Sequence, residues 1–346
     1  MQQEGRRRPP VIADVARAAG VSVPTVSRVL NGTLPVSDHK REQVLRAVRE
    51  LGYRPNGAAR ALVTGRQSMI TIITSNTTRH GYAMTIQGIE EAARAAGYLV
   101  AIAVLDSGAG QTIAAALDLV LGQPTAGVIV LDFDEIGGRA ISAVPDTVAL
   151  AAVSSTTEGR VIPRVLFDDM RGGWDATRYL LSLGHRTVHH VALPESGRPN
   201  GRLLGWRRAL QESGAEVPEV IRTDWSPASG YRAGLVLAGM DDVTAVLCGN
   251  DEVAFTVMKG LKDAGRAIPD DVSVIGFDDQ PLAAFWSPPL TTMGADFVQL
   301  GREAATLLFA SINESIAAST AVSAELHLVV RASTGPPPGQ PAPPAS

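Results

Sequence analysis

Several kinds of protein are excluded by what this sequence lacks. It contains one cysteine, Cys248. No internal disulfide can therefore form, and such usage fits a reducing, cytoplasmic setting. Cys248 sits in an apolar run and reads as a small buried residue. Charged residues make up 19% of the chain against 45% apolar ones, too few charges and too much apolar surface for a disordered polymer. No apolar run approaches the 18 residues of a membrane span. Arg6-Arg7-Arg8 are followed by no apolar stretch, so a secretory signal is not expected. Enzyme signatures are missing too: there is no P-loop, no GxSxG elbow, no HExxH and no CxxC. The six histidines are scattered. His189-His190 lie in a strand-like apolar run and read as structural rather than metal-binding. Neither a metal nor a cofactor is expected.

What is present begins with an uneven charge. The net charge of −4 divides into a basic beginning and an acidic remainder. Residues 1–62 carry 11 Lys/Arg against five Asp/Glu, a net of +6, which leaves −10 for the rest. A basic head on an acidic body implies that the head alone meets a polyanion. Residues 1–10 read as a disordered basic arm.

Residues 11–31 hold two short helical patterns around Gly20. Ile12, Val15, Ala16 and Ala19 share one helix face. Gly20 supplies a turn that a side chain would resist. Ser22 suits the N-cap of a second helix, its hydroxyl accepting from a backbone N–H. Val26, Val29 and Leu30 give that helix a buried face, and Asn31-Gly32 end it. Ser37 is placed to cap a third helix, striped by Val44, Leu45, Val48 and Leu51. This is the pattern of a helix-turn-helix, whose second helix lies in the DNA major groove. An ordinary αα-hairpin has the same bare pattern. In a helix-turn-helix reading, Val23, Pro24 and Arg28 are expected to face bases or their neighbours, with Arg28 the polar reader of guanine and Val23 and Pro24 offering only apolar contact. Thr25, Ser27 and Asn31 are better placed for phosphates.

Residues 11–31, followed by Val36-Ser37 and Leu51-Gly52-Tyr53-Arg54-Pro55-Asn56, resemble the DNA-binding end of the LacI/GalR family of bacterial transcription regulators. The resemblance runs through nearly every position of this block. It implies a hinge helix within Pro55–Leu62 that folds on operator DNA, with Leu62 as the apolar wedge of the minor groove. It also implies DNA contacts by Tyr53, Asn56 and Ala59. Read without the resemblance, the same stretch is a linker with helical tendency.

From Ser68 onward, apolar strand-like runs alternate with helical patterns. The strands are expected at Met69–Thr74, Tyr98–Leu105, Gly127–Leu131, Thr147–Val153, Arg164–Phe167, Thr187–Leu193, Val243–Cys248 and Val272–Phe277. Helices are expected at Met84–Ala96, Gly172–Leu183, Arg202–Ser213, Gly230–Ala238 and Glu252–Ala264. Near-continuous apolar strands between helices mean doubly wound parallel sheets, and their number suggests two lobes. The family resemblance implies a bilobed periplasmic-binding-protein-like core. The expected organisation is a helix-turn-helix domain at 11–54, a hinge and linker at 55–67 and an α/β core at 68–334. One subdomain takes about 68–165 and 293–322, the other about 166–292 and 323–334. The Gly/Pro-rich stretch 335–346 reads as a disordered tail.

In open α/β sheets, ligands bind beyond the carboxyl ends of the strands. Asp168-Asp169, Asp224-Trp225-Ser226, Asn250-Asp251 and Asp278-Asp279 follow strand-like runs, and Arg202 precedes Gly205-Trp206 at the head of a helix. Fixed polar groups around an aromatic plate suit a sugar, although Asp168 and Asp251 would serve equally as helix caps. The resemblance assigns Arg202, Asn250 and Asp278 to the family's effector contacts. Asp224–Gly230, with Trp225, and His80 after Thr77-Thr78-Arg79 are similar to the lactose-repressor branch, where the tryptophan stacks on a galactoside. Ala295 and Ser154-Ser155 depart from that branch and put the identity of the sugar in doubt.

The expected function is a ligand-controlled, homodimeric repressor that binds palindromic double-stranded DNA and responds to a small effector such as a saccharide. A sugar-binding receptor serving transport and a sugar-modifying α/β enzyme are the competing readings. The basic head argues against the first and the missing catalytic constellation against the second.

Overall fold

The computed structural model describes residues 8–31, 35–54, 67–105, 113–194 and 200–339. The chain divides into two compact units, a head of residues 1–68 and a core of residues 69–346.

The head is built from α1 (Ile12–Ala18), α2 (Val23–Asn31) and α3 (Asp38–Leu51). At the start of α1 the N–H of Val11 donates to the Asp14 carboxylate at 3.0 Å. Gly20 takes φ +64°, the left-handed turn expected of it. The two serine caps differ from expectation. The Ser22 hydroxyl pairs with the Thr25 hydroxyl at 2.9 Å, while its carbonyl accepts from Thr25 and Val26. Ser37 holds the N-cap position of α3 but makes no side-chain bond. It is exposed, so water can satisfy the free N–H groups that a buried end would need a side chain to cover. Val15, Ala16, Ala19, Val26, Val29, Val44 and Ala47 form the head's core.

Among the described residues of the core are two six-stranded sheets. The first lobe holds β1 (Met69–Thr74), β2 (Leu99–Val104), β3 (Val128–Asp132), β4 (Leu150–Ser154), β5 (Arg164–Phe167) and β11 (Ala321–Ala324). Their order is β11-β5-β4-β3-β1-β2, and all pairings are parallel. Around it lie α4 (His80–Ala95), α5 (Ile113–Leu121), α6 (Glu135–Ala143) and α11 (Phe297–Ile312). The second lobe holds β6 (His189–Ala192), β7 (Ile221–Arg222), β8 (Ala245–Cys248), β9 (Ser273–Asp278), β10 (Thr291–Gly294) and β12 (His327–Val329). Their order is β12-β10-β9-β8-β6-β7, with α7 (Asp169–Ser182), α8 (Gly201–Glu212), α9 (Pro227–Ala238) and α10 (Asp251–Asp263) packed around them.

Three details correct the sequence reading. The second sheet is not wholly parallel, because β12 runs antiparallel to β10. Strand β12 follows β11 of the other sheet after residues 325–326 alone, so it joins β10 outside any βαβ unit. The crossings between lobes also fall later than about 165, 292 and 323. Strands β5, β10 and β11 each complete their pairing, to Phe167, Gly294 and Ala324, before the chain leaves its sheet. Gly335, placed in the expected disordered tail, is tied down instead. Its carbonyl accepts from the Ser273 hydroxyl at 2.9 Å and lies 3.0 Å from His185 Nε2, while its N–H donates to Ser273 Oγ at 3.0 Å.

Candidate DNA-binding face and effector cleft

The second helix of the head buries one face and leaves another open to solvent. Val15 and Val26 are fully buried where α1 and α2 meet. Because the helix period places 23, 24, 27 and 28 on one side, burying Val26 and Val29 turns Val23, Pro24 and Arg28 outward. Val23 is 40% exposed, and Pro24 and Arg28 are exposed as well. Thr25 and Ser27 are half-buried. Asn31 is the last residue of α2. Tyr53 packs against the head's core instead of standing free. Asn56, Ala59 and Leu62 lie outside the described residues.

In the core, both sheets run 2-1-3-4-5 in their parallel strands, so each reverses direction beside its first strand. Ligand crevices form outside the carboxyl ends at such switch points. The two sets of ends face one another. Arg79, from the loop after β1, lies with its guanidinium carbon 3.4 Å from the centroid of the Trp225 ring, which follows β7.

Arg202 is the centre of the second lobe's half. Asn200 caps α8, its carboxamide oxygen accepting from the N–H of Arg202 at 3.0 Å. Close packing of α7 on α8 fixes the helix. A Cβ on Gly205 would lie 2.0 Å from the Met170 carbonyl oxygen, and one on Gly173 2.2 Å from that of Arg202. The buried guanidinium donates from Nε to Asp169 at 2.9 Å, pairs with Asp278 at 3.1 Å, and donates to the carbonyl of Gly249. It also stacks on Phe277 at 3.7 Å. Burial opposes its charge, but the carboxylates of Asp169 and Asp278 hold its pKa above the ordinary arginine value.

Asp278 and Asp279 take φ of +107° and +50°, a conformation that non-glycine residues keep only where the surroundings over-determine it. Asp278 is held by Arg202, and Asp279 by Arg331 at 2.7 Å. Burial pushes the Asp278 carboxyl up to about 7, with Arg202 working the other way. Behind it Asp251 is fully buried and accepts from the Thr292 hydroxyl at 2.6 Å and the Gln280 N–H at 2.7 Å. Burial, followed by the charge of Asp278, raises it to about 8.

Asn250 is buried and caps α10, accepting from the Val253 N–H at 2.9 Å. Its amide group is left to donate elsewhere. Trp225 is 43% exposed. It is held between Asp224, which accepts from the Ser226 N–H at 2.7 Å, and Ser226, which caps α9. His80 opens α4, edge-on to Phe297 at 6.0 Å. Burial lowers its pKa, opposed by Glu252 and Asp279 of the other lobe. Arg202 and Asp278 are thus in contact, Asn250 follows the carbonyl that Arg202 binds, and Trp225 and His80 stand on opposite sides of the cleft. Asp168 acts as the cap of α7, accepting from Arg171 at 2.8 Å.

The sequence reading did not single out Arg79 or the polar group beside it. There Asp134 caps α6 and accepts from the Tyr82 hydroxyl at 3.0 Å and from Ser75. Position after a strand was the available signal for Asp134. Nothing local marks Arg79, whose partner comes from the other lobe.

Among the described residues no helix is long and apolar enough to cross a membrane. Residues 11–56 match the bacterial regulatory proteins of the lacI family, and residues 177–334 match a periplasmic binding protein-like domain. The chain is 32% identical to the HTH-type transcriptional regulator DegA of Bacillus subtilis (strain 168), over 94% of this chain and 98% of that protein. It is 33% identical to the HTH-type transcriptional regulator CelR of Thermobifida fusca, over 95% and 99%. A Lac repressor dimer bound to operator and the anti-inducer ONPF superposes with a TM-score of 0.84 at 27% identity, covering 95% of this chain and 100% of that one. A CelR–cellobiose complex superposes with a TM-score of 0.69 at 30% identity, covering 94% and 99%. With its helix-turn-helix head, its two-lobed core and relatives of this identity along nearly its whole length, the chain belongs to the lacI family of bacterial regulatory proteins.

Proposed function

We propose that this protein is a transcriptional repressor whose hold on operator DNA is set by a saccharide bound between the core lobes. The observation that carries the DNA half is the outward face of α2, where Val23, Pro24 and Arg28 stand exposed on a basic head, residues 1–62 carrying a net charge of +6. Arg28 reads a guanine edge, Val23 and Pro24 touch thymine methyls, and Thr25, Ser27 and Asn31 bind phosphate. Asn56, Ala59 and Leu62 complete the contact as a hinge in the minor groove, with Tyr53 buttressing the head.

The effector half rests on Arg202, Asn250 and Asp278 in the second lobe, together with Trp225 of the same lobe and His80 of the first. Carboxylate, amide and guanidinium groups match hydroxyl directions, and the indole covers a C–H face. The cellobiose complex of the CelR regulator supports a carbohydrate. No catalytic step is assigned to the cleft: Asp169 and Asp278 pair with Arg202 and Asp279 with Arg331, and Asp251 is held behind them by Thr292 and Gln280. The working form is a homodimer in the cytoplasm, as two-fold operators require. The β2 edge, with Leu99, Ile102 and Val104 exposed, and Phe285 with Leu282 on the second lobe offer it apolar surface.

The test is a DNA-release titration. Full-length protein on palindromic sites from its own genome is challenged with a panel of glycosides including cellobiose and o-nitrophenyl galactoside. Release by a saccharide, lost in Trp225→Ala and Asp278→Asn, is expected. A protein that binds none of these sites overturns the repressor reading. Release by no saccharide overturns the effector.

A further inference from the structure

The plate on which an effector ring would lie is already covered. Arg79 reaches from the first lobe and sets its guanidinium 3.4 Å above the Trp225 ring of the second. Its backbone is fixed, since the Asn76 side-chain oxygen accepts from the N–H of Thr78 at 2.8 Å and of Arg79 at 2.9 Å. Arg79 is also the N-cap residue of α4, so the side chain leaves the helix end toward the cleft. Arg79 as a whole is half-buried. It faces Tyr82 and Asp134 of its own lobe and Glu252 of the other. Burial lowers its pKa against the pull of those groups.

We propose that Arg79 is a specificity-determining latch, which covers one face of Trp225 and must be displaced before an effector ring can stack there. This rests on the effector reading of the cleft given above. A planar cation at 3.4 Å leaves no room for a pyranose on the same face, because a stacked sugar needs that same layer of space. The latch joins the two lobes directly, so a ligand that stacks on this face of the indole must break a contact between them. An effector must therefore gain more from Arg202, Asn250 and Asp278 than the cation–π contact is worth. A flat apolar ring without hydroxyls at the right places cannot do so. The arginine thus filters for ligands that engage the buried polar groups, although it need not itself hold them.

The experiment uses the full chain in two arms. In the first, acrylamide quenching of tryptophan emission is measured without ligand in wild type, Arg79→Ala, Trp225→Phe and the double variant. Arg79→Ala should increase quenching in the presence of Trp225 and leave it unchanged in the Trp225→Phe background. In the second, cellobiose and o-nitrophenyl galactoside are titrated by operator release. Arg79→Ala should lower the half-saturating concentration about three- to tenfold, the range a partly desolvated cation–π contact represents. Unchanged quenching shows that there is no stack and overturns the latch. Increased quenching with unchanged or weaker saccharide response overturns the competition. A wild-type protein that releases for no saccharide defeats the carbohydrate reading instead, and the latch is then judged by quenching and by whether Arg79→Ala gains a response.

Discussion

Arg202→Leu should make the stability of the second lobe depend on alkaline pH in a way the wild type does not. In the wild type, burial raises Asp278 from its ordinary 3.8 to about 7. A carboxyl whose folded pKa is raised keeps its proton longer in the native state. It therefore loses stability as pH rises from about 4 to about 7, after which the loss levels off. Arg202 is the group that pulls this pKa down. Without it the folded pKa climbs further and the loss continues above pH 7 at about 1.4 kcal/mol per pH unit. Near pH 6, Asp278 is largely protonated in both proteins. The variant then lacks the bonds to Asp169 and Gly249 and the stacking on Phe277, about 3 kcal/mol, the lower end for breaking a buried pair. By about pH 8.5 the gap should widen by roughly 2 kcal/mol. All four tryptophans, at 174, 206, 225 and 286, belong to the second lobe, so urea unfolding followed by their emission reports the relevant part. Asp251 titrates in both proteins. Adding Asp278→Asn should abolish the widening. Parallel wild-type and Arg202→Leu profiles from about pH 6 to 8.5 would refute the coupling.

Other measurements follow from the same structure. His190 is fully buried, stacked on Trp206 at 5.3 Å, with Nδ1 2.9 Å from the Leu247 carbonyl. Burial depresses its pKa to about 4, so its contribution is complete above about pH 6.5 and is lost as pH falls toward 4, about 3 kcal/mol in all. His190→Phe should remove that share of the acid sensitivity, leaving the share of His185 and His189, which burial also lowers. An unchanged acid limb in urea melts would count against it. Gly205→Ala places a Cβ 2.0 Å from the Met170 carbonyl and should destabilise by roughly 1–3 kcal/mol through overpacking. It should also weaken the effector response, since α8 carries Arg202; a melting temperature equal to wild type would refute the close approach. Operator affinity should fall linearly on a log–log salt plot, with a slope that flattens by about one for each phosphate-binding basic residue removed from the head. A salt-independent affinity would exclude phosphate contact as the source of binding.

Much of this architecture is legible locally. Gly20 announces its turn because a left-handed residue has few substitutes, and Val15, Val26 and Val44 announce the head's core by helical period. All eight strands expected in the core are present, since buried parallel strands are short apolar runs between breakers. Helices α5 and α6 were harder to read. Ile113–Leu121 is apolar nearly all round and shows no polar face to set its period, and Glu135–Ala143 is interrupted by Gly137-Gly138. Strand β12, with three residues, is too short to carry any alternation. The capping expectations failed where the helix end is exposed: at Ser37, water competes with the hydroxyl.

The cleft divides along the same line. Asn250 and Asp278 are legible because they lie at the carboxyl ends of strands, and Arg202 because it opens a helix, positions that the fold brings to the crevice. The residues that would decide what may enter are a different kind. Arg79 and Trp225 belong to different lobes and meet only because two separate sheets point their carboxyl ends at each other. A motif can hold the polar floor of such a site while the roof is free to vary. Two chains with the same Arg, Asn and Asp can therefore take different effectors. In this chain the polar floor is the part shared with the family resemblance, and the stacked guanidinium above it is the part to test for selectivity.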